Sequence, residues 1–155
     1  MEALKTAPGL KVSLFASDLP KVREMAMSPS GTLFVGSNAG NVYALTMSGN
    51  QITKQRTILT GITDPSGIAF KNGALFVSAR TKVLRFDDIE NRLDKPPAPI
   101  TVLDGMPDKQ RHGVHYMAFG PDGKLYVSVG SLCDLCEAHN DEYGTIIRVN
   151  ADGSG

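Results

Sequence analysis

Apolar and polar residues alternate in short runs along this chain, and the runs recur in a fixed order. "MAMSPSGTLFVGS" (25–37), "IAFKNGALFVSA" (68–79) and "MAFGPDGKLYVSV" (117–129) each hold an apolar run, a turn with glycine, and a second run reaching valine. A period of two is the mark of a strand with one buried face. The turn glycines, Gly31, Gly73 and Gly123, supply the positive φ of a tight hairpin. Leu33–Val35, Leu75–Val77 and Leu125–Val127 begin two residues after them in every copy. A third run follows each pair: "NVYALT" (41–46), "KVLRF" (82–86) and "GTIIRV" (144–149).

A fourth run fixes the period. "SLFAS" begins at Ser13, "TILTG" at Thr57 and "TVLDG" at Thr101, at two intervals of 44 residues. Repeats of roughly 40–50 residues with four short strands each are the signature of propeller blades. The pattern therefore predicts an all-β chain, a β-propeller of four-stranded antiparallel blades. It reads as a lead (1–10), a lone clasp strand (11–16), one blade over 24–60, a second over 66–104 and an incomplete third over 115–155. That is about two and a half to three blades. Turn residues rather than helix caps separate the runs, which argues against βαβ units. One short helical turn is expected at "DDIENRL" (87–93), before the proline-rich "DKPPAP". A small β-sandwich is the alternative, and it leaves the 44-residue spacing without a reason.

A closed six-bladed ring at this period needs on the order of 260–350 residues, so the chain corresponds to about half of one. Blades pack face to face, and an incomplete ring turns two apolar faces to water. Each could expose several hundred Å². The expectation is a chain that is marginally stable, aggregates or pairs with itself.

Composition changes this picture little. Sixteen basic residues balance sixteen acidic ones, which leaves no electrostatic footprint for nucleic acid or an anionic membrane surface. No apolar run is long enough to span a bilayer. The opening "MEALKTAPGLKVSLF" lacks a basic stretch followed by an apolar one, so no signal peptide is expected within this chain.

Two of the three histidines fall in "RHGVHYMAFGPDG" (111–123). Alignment of the repeats puts Arg23, Ser66 and His115 at one equivalent place, just before each innermost strand. Innermost strands line the central channel of a propeller, and the loops leading into them form its mouth. His112 lies three residues before His115. Both histidines are candidate mouth residues, against the plainer reading that they are solvated loop residues. A neutral imidazole there can take a proton from a substrate hydroxyl. Arg23 and Arg111 can hold an anionic cofactor through bidentate contacts; for Arg23 the alternative is a rim ion pair with Glu24 or a neighbouring aspartate.

The stretches "PGLKVSLFASDLPKVREMAMSPSGTLFVGSNAGNVYAL", "KVLRFDDIENRLDKPPAP" and "HGVHYMAFGPDGKLYVSVGSLCDLCE" together resemble the sorbosone dehydrogenase family. These are relatives of the soluble quinoprotein glucose and aldose sugar dehydrogenases. The resemblance runs over about residues 8–155 and matches the amino-terminal half of that family. It implies a six-bladed β-propeller, a pyrroloquinoline quinone (PQQ) cofactor at the channel mouth, often with Ca²⁺, and oxidation of a sugar or aldehyde substrate by an external electron acceptor. It also implies a periplasmic or secreted location. In that family a histidine eight residues before the first glycine of the "GPDG" turn is the general base, and here that place is His112. Arg23, Arg111 and His115 are the expected cofactor contacts.

The sequence departs from the family in places. Relatives tend to read "HHGWKY" where this chain has "RHGVHY". The loop "GITDPSGIAF" lacks the glutamine that the glucose dehydrogenases carry there. Most of the family's PQQ and Ca²⁺ ligands come from later blades. The 155 residues alone are therefore expected to be inactive. A metal-dependent lactonase on a similar propeller and a non-catalytic scaffold are the competing functions. The lactonase is disfavoured because Arg23, Ser66 and His115, rather than several acids, take the axial places.

"CDLCEAH" sets Cys133, Cys136 and His139 three apart. The family's oxidising compartment favours a local Cys133–Cys136 disulfide. Free thiols come next, and a zinc site completed by Asp141 last. Glu137 after Cys136 excludes a c-type haem motif. The acids of "NDEYGT" (140–145) could bind Ca²⁺ but read more simply as a polar loop.

Overall fold

The computed structural model describes residues 4–108, 110–137 and 142–155, and they form three antiparallel sheets. The first holds β1 (Val22–Met27), β2 (Thr32–Ser37), β3 (Asn41–Ser48) and β4 (Gln51–Leu59) in chain order. The second holds β5 (Ile68–Lys71), β6 (Ala74–Ser78), β7 (Lys82–Phe86) and β8 (Ile100–Asp104) in the same order. The third holds β9 (Met117–Phe119), β10 (Leu125–Ser128) and β11 (Ile146–Val149). The register repeats: Met25 pairs with Val35, Ile68 with Val77 and Met117 with Val127. These sheets are propeller blades in an unclosed ring, and the sandwich alternative is set aside.

Alternation along the strands decides which blade each side chain meets. From β6, Leu75 and Val77 face the first blade, where they pack with Phe34, Val42, Ala44 and Ile58. Between them Phe76 points the other way, onto Met117, Leu125 and Val127 of the third blade. Two dry interfaces thus share one central blade. Phe34 stacks on Phe70 in the first, and Phe76 meets Phe119 edge-on in the second. Burying a Phe or Leu side chain of this kind contributes about 1.5–3 kcal/mol.

One local expectation is met and one changes. The helical turn is a short 3₁₀ segment, Ile89–Arg92, whose Ile89 is fully buried against the first blade interface. Residues 11–16, expected as a clasp strand, join no sheet. The segment forms no ladder with either edge strand of the first blade, β1 or β4. Instead Ala16 and Leu19 pack on Val35, Tyr43 and Leu45, covering part of the outward face of the first blade. The rest of that face stays open: Val22, Met25 and Met27 of β1 are each about half exposed or more.

Candidate functional site

β1, β5 and β9 are the innermost strands, and Glu24 ties them together. Its Oε2 accepts the backbone N–H of Ile68 at 2.9 Å and of Met117 at 3.2 Å. One carboxylate on the first blade thus caps the first residue of the innermost strand in each of the other two. Burial pushes the Glu24 carboxyl above its ordinary value, and the two backbone N–H groups oppose that shift. Its chain neighbour Arg23 turns elsewhere, donating from Nη2 to the Tyr116 hydroxyl at 3.0 Å. Arg23 makes no ion pair among the described residues. The rim pair with Glu24 is not formed.

The loop leading into the third blade carries the two histidines to different places. His115 is 1% exposed. Its Nδ1 lies 2.7 Å from the Ser128 carbonyl of its own blade, and its Nε2 lies 2.8 Å from the Arg80 carbonyl of the preceding one. Its own carbonyl accepts from the Ser78 hydroxyl at 2.9 Å, which also accepts the Gly67 N–H at 2.8 Å. Both ring nitrogens are occupied by backbone carbonyls. Its place in the repeat is axial, as aligned, but its ring is turned into the seam between blades.

His112 lies at the surface. Its backbone is left-handed, at φ 62°, a conformation uncommon outside glycine. That bend brings its carbonyl against Gly130, where an added Cβ would lie 1.9 Å from the oxygen. Only glycine permits this approach. The His112 side chain is 34% exposed, and its Nε2 lies 2.8 Å from Asp134 Oδ1. Arg111 Nη2 bonds the other carboxylate oxygen, Oδ2. Arg111 and His112 therefore share one anion. Cys133 and Cys136, on either side of that aspartate, are joined with an S–S distance of 2.04 Å. His139 and Asp141, the further ligands of the zinc reading, lie outside the described residues, as does part of "NDEYGT". Among the described residues no three acid, histidine or cysteine side chains gather as a metal site.

Sequence reasoning missed Asp134 and named Glu24 only as an ion-pair partner for Arg23. Asp134 was visible only as a residue inside "CDLC". Glu24 aligns with Gly67 and Tyr116 across the repeats, so the repeat alone gave no reason to single it out.

A TrAA12-like family model matches residues 4–149. The chain belongs to the TrAA12-like family. Solved structures agree on the fold. The PQQ domain of pyranose dehydrogenase from Coprinopsis cinerea, in its holo form, is similar with TM-score 0.70 and 17% identity, over 82% of this chain and 32% of that one. A calcium structure of a carbohydrate-active enzyme of family AA12 from Trichoderma reesei is similar with TM-score 0.71 and 21% identity, over 82% and 34%. The PQQ-bound aldose sugar dehydrogenase from Streptomyces coelicolor gives 0.67 and 21%, over 92% and 48%. The chain spans about a third to a half of the length of these relatives. A search of curated proteins found no match. TrAA12-like membership and these neighbours agree with the resemblance read from the sequence. No helix among the described residues is long and apolar enough to cross a membrane.

Proposed function

We propose that this chain forms the amino-terminal part of a PQQ-dependent sugar or aldehyde dehydrogenase, periplasmic or secreted, with His112 as its general base. The observation that carries the reading is the hydrogen bond from His112 to Asp134, in the loop before β9, on a chain of the TrAA12-like family. A carboxylate on one ring nitrogen fixes the ring's orientation and stabilises the imidazolium that forms when the other nitrogen takes a proton. Nδ1 of His112 is the atom that would accept the proton of a substrate hydroxyl. Asp134 orients it, and Arg111 holds the far side of Asp134.

The residues present fit a polyanionic cofactor. PQQ carries three carboxylates, and Arg23 offers a guanidinium with one neutral partner, Tyr116. Arg111, 79% exposed, is a second candidate contact. When bound, PQQ supplies an electrophilic ortho-quinone that accepts a hydride equivalent. The described residues offer no cluster for Ca²⁺, so none is assigned to it.

Spectroscopic titration of the chain with PQQ tests the reading. Arg23→Ala is expected to weaken binding roughly tenfold or more, the effect of removing one charge-assisted contact. Equal affinity of the variant and the parent would remove Arg23 from the cofactor site. With PQQ, Ca²⁺ and a panel of aldoses, dye reduction by the 155 residues alone is expected to stay at background. Turnover that disappears in His112→Ala would overturn the expected inactivity and support the base.

A further inference from the structure

We propose that the Cys133–Cys136 disulfide is the positioning device of the site, holding Asp134 where it orients His112. This rests on the reading of His112 as proton acceptor. Asp134 stands on a segment that little else secures. Among the described residues, no backbone–backbone hydrogen bond ties 131–137 to the blades. Apolar anchoring is slight: Leu132 and Cys133 are partly buried, Leu135 is 99% exposed, and no residue of the segment lies in a core cluster. The covalent bond closes a ring around Asp134 and Leu135 and so restricts the backbone at Asp134. The partners of Asp134 come from the opposite loop, whose position is set by the close approach of the His112 carbonyl to Gly130. Gly130 leads directly into the cysteine segment. The glycine contact places the histidine, the disulfide places the carboxylate, and the hydrogen bond at 2.8 Å joins them.

The ring resonances of His112 and His115 report on this in the 155-residue chain without cofactor or substrate. In C133S/C136S the His112 Cε1–H signal is expected to move to within a line width of its position in D134N, while the His115 signal stays put. Combining all three substitutions is expected to add no further shift. A His112 signal that keeps its parent position in C133S/C136S, with D134N shifted, overturns the proposal. Should the double variant lose the His115 signal and so its fold, dithiothreitol added to the folded parent decides. Its two thiols give up two protons and two electrons and close to a cyclic disulfide, leaving Cys133 and Cys136 as thiols. Movement of the His112 signal alone supports the lock, and its constancy after complete reduction overturns it. None of these readings involves turnover. A PQQ titration in which Arg23→Ala binds as the parent does would remove Arg23 from the cofactor site and leave the geometric result intact.

Discussion

Glu24 shows how one side chain can serve three blades. Its carboxyl is raised by burial, so the folded state binds its proton more tightly than the unfolded chain does. The associated stability is present below the ordinary glutamate value and is lost as the pH rises through the raised folded value. Urea unfolding of the parent and Glu24→Gln, measured from pH 4 to 7, is expected to show the variant gaining on the parent as pH increases. A parallel pair of stability curves would assign the carboxyl no such role. His115 makes the complementary case. Its two ring nitrogens join the second blade to the third, and His115→Leu leaves two partly buried carbonyls each short of a partner. A loss of about 1–3 kcal/mol is expected on thermal or denaturant unfolding.

Loops rather than strands carry the specific placement. The first two blades each hand their successor a docking point on their second strand: Gly36 of β2 lies against the carbonyls of Pro65 and Ser66, and Ser78 of β6 receives His115. In the third blade Gly130, beyond β10, meets His112 of the loop that leads into the same blade. At Gly130 the approach is closest. Gly130→Ala puts a methyl group where the His112 carbonyl stands, and it is expected to cost about 1–3 kcal/mol. It should also displace the His112 ring signal in the same sense as Asp134→Asn. Retention of both stability and signal in this variant would mean that the loop can move without releasing the site. The 3₁₀ turn Ile89–Arg92 is placed by the same kind of local anchoring, with Ile89 buried and its N–H donated to the Gly73 carbonyl.

The whole molecule has two well-packed seams and an unclosed ring. Ala16 and Leu19 shield part of the first blade's outward face, and Met25 and Met27 remain 60% and 54% exposed. Apolar area left in water favours self-association. Sedimentation of the 155-residue chain is expected to show concentration-dependent association, weakened in Met25→Lys/Met27→Lys. A monodisperse monomer across micromolar concentrations would show that the exposed face is tolerated. The blades themselves were legible in the sequence. A period-two pattern with glycine two residues before Leu33, Leu75 and Leu125 encodes hairpins locally, and the 44-residue interval encodes their repetition. Alignment of the repeats also put Arg23, Ser66 and His115 at equivalent places, because register is a local consequence of alternation. The fate of each side chain there was not legible. One imidazole turns into a seam and another, three residues earlier, meets Asp134 from a loop 22 residues away. That difference depends on which carbonyls and carboxylates other segments bring within reach, and on the space a glycine leaves for them. Such partners are set by packing between blades, so the order of strands belongs to the sequence by itself, while the chemistry of His112 and His115 was decided only by the tertiary structure.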